Sequence, residues 1–188
     1  MSIGENPYIQ KLNPAVLKEH INEVYMRASL GKISSREFWH ELGFVNGYEQ
    51  IEREYLDTCL TLDGEFISIA EELGAEYDLA VLSIDVKEWG KYLREKYNLD
   101  RFFREVVISG EVKCRKPDYG IYDILFSRLN VNPQDCVFID DRYKNLKTAS
   151  EKGLKTIRFC REPQEKTFEP DAEINSFTQL KEAVRYIW

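Results

Sequence analysis

Two adjacent carboxylates, Asp140 and Asp141, follow directly on the apolar run Cys136-Val137-Phe138-Ile139. Such a run reads as a short buried strand, and the C-terminal end of a strand in an open α/β sheet is where ligands bind. Neighbouring carboxylates repel one another and are costly to desolvate, and a divalent cation is the usual remedy. The same pair could equally cap the helix that starts near Tyr143. Two other strand ends bear on the choice. Ser83 follows Leu79-Ala80-Val81-Leu82, and Lys116 stands in a loop after Val106-Val107-Ile108. A hydroxyl donor, an ammonium charge and a metal-binding carboxylate pair are what a phosphoryl group needs. The lysine and Mg²⁺ offset its negative oxygens while the hydroxyl fixes its orientation. Taken singly, Ser83 could cap a helix beginning after Asp85, and Lys116-Pro117-Asp118 could be a surface turn. Three matching chemistries at three strand ends are harder to assign to chance.

The elements around these residues set the fold class. Residues 1–12 are polar and read as irregular. Asn13-Pro14 reads as an N-cap followed by Pro at the first helical position. Val16, Leu17, Ile21, Val24, Tyr25 and Ala28 then recur at helical spacing until Gly31. Ser34 with Glu37 is a capping box for a second helix carrying Phe38, Trp39 and Leu42. A third helix covers Tyr48 to Leu60. Helices in succession with no strand between them predict a small helical subdomain over residues 1–62. Its aromatics either pack its own core or line a cleft, and the habit of amphipathic helices favours the core. From residue 63 to 188 strands alternate with helices. Helices are expected over 65–73, 86–97, 121–129, 144–152 and 177–187, with strands at 79–82, 106–108, 136–139, 156–159 and 172–174. That alternation predicts right-handed βαβ units, a parallel sheet and an α/β core.

Composition narrows the class of partner. The 188 residues carry a net charge of −7 and 43% hydrophobic residues, enough for a sizeable core. No Lys/Arg block stands out, so a nucleic-acid partner is not expected. No apolar run approaches the roughly 18 residues of a membrane span, and the stretch Met1 to Pro7 has no leader-like pattern. Cys59, Cys114, Cys136 and Cys160 are widely spaced, which suggests reduced thiols and a cytoplasmic setting. His20 and His40 lie at no ligand spacing to them, so no zinc site is expected.

With these residues in place, the sequence resembles the haloacid dehalogenase (HAD) superfamily of hydrolases, most densely over residues 79–159. Ser83 matches the motif II Ser/Thr. Lys116 in Cys114-Arg115-Lys116-Pro117-Asp118 matches the motif III lysine. Ile139-Asp140-Asp141 matches the acidic motif IV, with Asn145 where many members carry a further acidic or amide residue. Ser109-Gly110-Glu111-Val112 and Gly153-Leu154-Lys155-Thr156 are also similar to the family. Residues 13–60 resemble its helical cap, and the stretch Gly31 to Phe38 resembles sugar-phosphate phosphatase-like members. The resemblance implies a Rossmann-like three-layer core and a Mg²⁺-dependent phosphatase acting on a small phosphorylated metabolite. It implies Ser83 and Lys116 as phosphate-binding, Lys116 as the catalytic charge balancer, Asp141 as the direct Mg²⁺ ligand and Asp140 as its helper. Ile84 stands where the family often has Asn.

One expected motif does not occur. The family's nucleophile is the first Asp of a D-x-D pair on its first strand, and no D-x-D pair occurs in these 188 residues. Covalent catalysis through an aspartyl-phosphate needs that carboxylate in line with phosphorus. The chain as given is therefore expected to be inactive unless the motif is supplied upstream or in trans. The alternative is a non-catalytic protein that keeps the phosphate and Mg²⁺ residues for binding. The missing strand lies at the sheet's centre in the family, between the strands ending at Ser83 and Asp140. Either those two strands pair directly, about 4.8 Å apart, or another segment or chain fills the gap, or the polypeptide begins upstream. Unpaired inner edges would favour a homodimer.

Overall fold

The computed structural model describes residues 7–160 and 163–188, so expectations for residues 1–6 lie outside the described residues. The helices are α1 (Pro7–Leu12), α2 (Lys18–Ser29), α3 (Ser35–Glu41), α4 (Tyr48–Cys59), α5 (Phe66–Gly74), α6 (Lys87–Tyr97), α7 (Ser109–Val112), α8 (Tyr119–Leu129), α9 (Tyr143–Glu151) and α10 (Leu180–Ile187). The strands are β1 (Ala80–Ser83), β2 (Glu105–Ile108), β3 (Val137–Asp140), β4 (Lys155–Phe159) and β5 (Ala172–Ile174). The chain folds as two compact units. One comprises residues 1–62, 82–101 and 107–115; the other comprises 63–81, 102–106 and 116–188.

In the first unit, α3 starts as its sequence predicts. The Ser34 hydroxyl accepts from the Glu37 amide at 3.2 Å, and the Ser34 amide donates back to the Glu37 carboxylate at 2.7 Å. Two expectations at the N-terminal side are corrected. Pro7–Leu12 is helical rather than irregular, because Ile9 is fully buried in the core of this unit. Asn13-Pro14 opens a turn, not α2: the Asn13 side chain accepts from the Ala15 amide at 3.3 Å and donates to the Leu42 carbonyl at 3.0 Å. The helix begins only at Lys18.

The aromatics of this unit are core. Phe38, Trp39, Tyr55 and Trp89 are all at most 3% exposed and pack edge-on or tilted against one another. Two of them carry a polar N–H that burial would orphan. Glu52 meets both, one carboxylate oxygen accepting from the Trp39 indole at 2.8 Å and from the Trp89 indole at 2.7 Å. That carboxylate joins α3, α4 and α6.

The second unit is a three-layer α/β sandwich. β3, β4 and β5 pair in parallel in that order, with Asp140 beside Arg158 and Arg158 beside Glu173. Alternation along the strands sorts side chains to the two faces. Val137, Ile139, Ile157, Phe159 and Ile174 pack with Ile69 and Leu73 of α5 and Leu180 and Val184 of α10. Phe138 and Asp140 turn the other way, toward Tyr122 of α8 and Asn145 of α9. α8 ends at Asn130 in the left-handed conformation (φ 54°), which Asn tolerates better than most residues.

β1 pairs with β2, and among the described residues no ladder joins that pair to β3–β4–β5. Direct pairing of the strands ending at Ser83 and Asp140 is therefore not what the fold adopts. All four cysteines are free thiols. Among the described residues no helix is long and apolar enough to cross a membrane.

Candidate active site

The carboxylate pair sits where the strand pattern places it, one residue earlier than expected. Asp140 is the last residue of β3 rather than the first residue beyond it. Its side chain is 5% exposed, and Lys116, at 10%, donates to its Oδ2 at 2.6 Å. The Oδ1 atom accepts from the Arg142 amide and the Asn145 side-chain amide, both at 2.9 Å. Three donors therefore converge on one buried carboxylate, the condition under which a charge persists away from water. Neither aspartate serves as the N-cap of α9, whose capping residue is Arg142 with no side-chain bond. Asp140 nonetheless takes one of the amides at that helix end.

Asp141 is the less satisfied of the two. Burial, and then the neighbouring Asp140, push its carboxyl above the ordinary range, while Arg142 pulls it back. A carboxylate held in that state is one a divalent cation would stabilise. The amide of Asn145 contributes a second oxygen to the neighbourhood. The residue is 2% exposed, its nitrogen is committed to Asp140, and its Oδ1 is buried with no hydrogen-bond partner. Only the nitrogen can donate to a carboxylate, so the oxygen is the atom left over. Among the described residues no group of three His, Cys, Asp or Glu side chains forms a metal cage. Two carboxylates, an amide oxygen and water suit Mg²⁺, which keeps several waters, better than they suit a structural zinc.

Three further charged or polar groups flank this face, and the sequence reading missed them. Arg158, 5% exposed, donates to the Tyr143 hydroxyl at 2.8 Å and lies 3.7 Å from the Glu173 carboxylate. Its guanidinium also covers the Tyr143 ring at 4.2 Å. A charged residue at the centre of an apolar strand was the available signal, and Arg158 in Thr156-Ile157-Arg158-Phe159 is one. Lys116 itself lies over the Phe138 ring at 5.2 Å, so its position is fixed from two sides.

Ser83 belongs to the first unit, where it closes β1 half-buried. The turn after it is built from Ile84, Asp85 and Val86 and leads into α6. Asp85 accepts from the Val86 amide at 2.8 Å through Oδ1. Burial pushes its carboxyl up to about 7, against the downward pull of that amide and of Arg94. An unfolded aspartate titrates near 3.9 (about 3 pH units lower). The folded state thus holds the Asp85 proton more tightly, a contribution that is intact below about pH 4 and lost as pH rises through about 7. Asp85→Asn is expected to be more stable than wild type at pH 8, on the order of a few kcal/mol at most. Urea midpoints between pH 4 and 8 measure this, and parallel wild-type and variant curves would refute it.

Comparison with known proteins bears on the family and the fold. The haloacid dehalogenase-like hydrolase family matches residues 9–159. A glyceraldehyde 3-phosphate phosphatase of Methanopyrus kandleri is 33% identical over 121 residues, covering 61% of this chain and 51% of that protein. An (S)-2-haloacid dehalogenase of Burkholderia cepacia is 31% identical over 109 residues, covering 56% of this chain and 47% of that protein. The chain thus spans about half the length of the curated relatives it matches. In fold it is similar to a HAD family enzyme of Bacteroides thetaiotaomicron solved in complex with magnesium and inorganic phosphate. The TM-score is 0.71 at 19% identity, covering 84% of this chain and 85% of that one.

Proposed function

The chain belongs to the haloacid dehalogenase-like hydrolase family, and on that premise we propose that it carries the phosphate- and Mg²⁺-handling part of a phosphatase for a small phosphorylated metabolite. The observation that supports this most directly is the buried Lys116–Asp140 pair at 2.6 Å with Asp141 next in the chain. A lysine held by one carboxylate keeps its charge and its direction, so its remaining donors are available to an anion. Ser83, which closes β1 in the other unit, is read as a phosphate-binding hydroxyl. Asp141, with Asp140 and with the Asn145 side chain that bonds to Asp140, would hold Mg²⁺. The ion would supply charge neutralisation on the phosphoryl oxygens. Residues 1–62 are assigned as the helical cap subdomain and residues 63–188 as the α/β core.

The name of the Methanopyrus relative supports a phosphorylated three-carbon aldehyde, or a close analogue, as substrate. Phosphate transfer through a covalent enzyme intermediate requires a carboxylate nucleophile. No D-x-D pair occurs in these 188 residues, so on this reading they bind without turnover unless that group is supplied upstream or in trans. The second reading, a binding protein that never turns over, rests on the same missing motif.

Calorimetric titration of inorganic phosphate, with and without Mg²⁺, tests the binding. Uptake is expected to require the metal, and Asp141→Asn to weaken Mg²⁺ affinity roughly tenfold or more. An Asp141→Asn variant that binds Mg²⁺ like wild type would overturn the metal assignment. Phosphate release from glyceraldehyde 3-phosphate, by the chain alone and joined to a D-x-D strand, separates phosphatase from binder. Chloride release from a 2-haloacid instead would redirect the assignment to dehalogenation.

A further inference from the structure

Ser83 ends a strand, and only Ile84, Asp85 and Val86 separate it from α6. A hydroxyl at the mouth of so short a turn presents a fixed direction only if the peptide groups behind it are held. Both poles of the Ile84–Asp85 peptide are held from outside the turn. Tyr25 of α2 donates from its hydroxyl to the Ile84 carbonyl at 3.2 Å. The Asp85 amide donates to the Ser109 hydroxyl at 3.1 Å. Ser109 is fully buried and its hydroxyl donates to the carbonyl of Ser29, the last residue of α2, at 2.6 Å. The Asp85 carbonyl, at 3.3 Å, is the longer alternative for that single hydrogen, and the hydroxyl's lone pairs remain to accept from the Asp85 amide. Tyr25 and Ser29 are four residues apart, on one face of the helix. The peptide behind Ser83 is therefore tied at its carbonyl and at its amide to successive turns of the same helix.

The backbones around this tie meet without side chains between them. The Gly110 amide donates to the Asp85 carbonyl at 3.1 Å. A Cβ on Gly110 would lie 2.7 Å from the Lys87 nitrogen and 2.9 Å from the Asp85 oxygen. Gly31, just beyond α2 with φ of +62°, would bring a Cβ to 2.2 Å from the Gly110 oxygen. Any residue larger than glycine at either place would push α2 or α7 off the turn.

We propose that Tyr25 and Ser109 are positioning residues for Ser83, clamping the Ile84–Asp85 peptide so that the Ser83 hydroxyl meets an anion in one direction. This rests on the reading of Ser83 as a phosphate ligand. The test is titration of inorganic phosphate with Mg²⁺ into the full chain as wild type, Ser83→Ala, Tyr25→Phe, Ser109→Ala and Tyr25→Phe/Ser83→Ala. Each clamp variant is expected to weaken phosphate about three- to tenfold, the range of one hydrogen bond. In the Ser83→Ala background Tyr25→Phe is expected to cost nothing further, because the clamp acts through that hydroxyl. Amide exchange at Asp85 is expected to quicken in both clamp variants. Ser109→Ala also empties a fully buried site, whereas Tyr25→Phe removes one oxygen from a half-buried ring and keeps the question answerable if the former does not fold. If Ser83→Ala weakens phosphate and Tyr25→Phe does not, the positioning role is wrong while the phosphate reading stands. Equal losses with and without Ser83 would make Tyr25 merely structural and also overturn the proposal. If Ser83→Ala leaves phosphate affinity unchanged, or wild type takes up none, the phosphate reading falls and the positioning role with it.

Discussion

Lys116→Ala is expected to abolish phosphate binding and to lower the melting temperature by about 10 °C. The Asp140 side chain is 5% exposed, and Lys116 is the cation bound to it. Removing one partner of a buried pair leaves an uncompensated charge, which costs about 3–5 kcal/mol. In a chain of this length each kcal/mol lowers the midpoint by about 2–4 °C. The Arg142 amide and Asn145 remain as donors to Asp140, so the lower part of that range is expected. The double variant Lys116→Ala/Asp140→Asn removes the stranded charge and should recover most of the stability while recovering none of the phosphate binding. That split separates the structural role of the pair from its role toward an anion. A Lys116→Ala melting curve superimposable on wild type would mean that the pair is not buried as described.

Glu52→Ala is expected to cause a comparable loss in the first unit, although no ligand chemistry is assigned to that residue. Its one oxygen accepts from both the Trp39 and the Trp89 indole. Deleting the acceptor orphans two buried donors at about 1–3 kcal/mol each, and the neighbouring aromatics offer no replacement. Glu52→Gln can place its amide oxygen at the same point and serve both indoles, so about 1 kcal/mol is expected there. Urea denaturation measures both. Near-UV circular dichroism reports the same event, because the remaining tryptophan, Trp188, is 58% exposed and contributes little fixed asymmetry. A Glu52→Ala variant as stable as Glu52→Gln would show that water or another group reaches the indoles.

Much of the architecture was legible along the chain because its signals are local. The Ser34–Glu37 capping box, the three-and-four spacing of α4, α6 and α8, and the apolar runs of β3 and β4 each depend on residues a turn or a pleat apart. Part of the candidate site was legible for a related reason: Asp140-Asp141 follow an apolar run, and Asp140 does close β3, where Lys116 meets it. Local signals misled where a distant contact won. Asn13-Pro14 has the grammar of a helix start, but Asn13 bonds to Leu42 across the unit and the chain turns instead. Pro7–Leu12 looked irregular because its anchor, Ile9, is a single apolar residue whose burial depends on α2 and α4.

The residues by themselves determined that this is an α/β chain of the HAD family, with a lysine, a hydroxyl and an acidic pair near the ends of apolar runs. Only the tertiary structure decided how those groups divide their work. Lys116 commits one donor to Asp140, burial and Asp140 push the Asp141 carboxyl up, and Asn145 bonds Asp140 through its nitrogen while its oxygen is buried without a hydrogen-bond partner. It also decided that Ser109, Tyr25 and Glu52 matter, since each bonds to a partner at least 13 residues away in sequence. Spacing reveals which chemistry a strand end can offer. Which donor meets which acceptor is a property of the packed core, where every buried polar group must find a partner and the nearest one is seldom a neighbour in the chain.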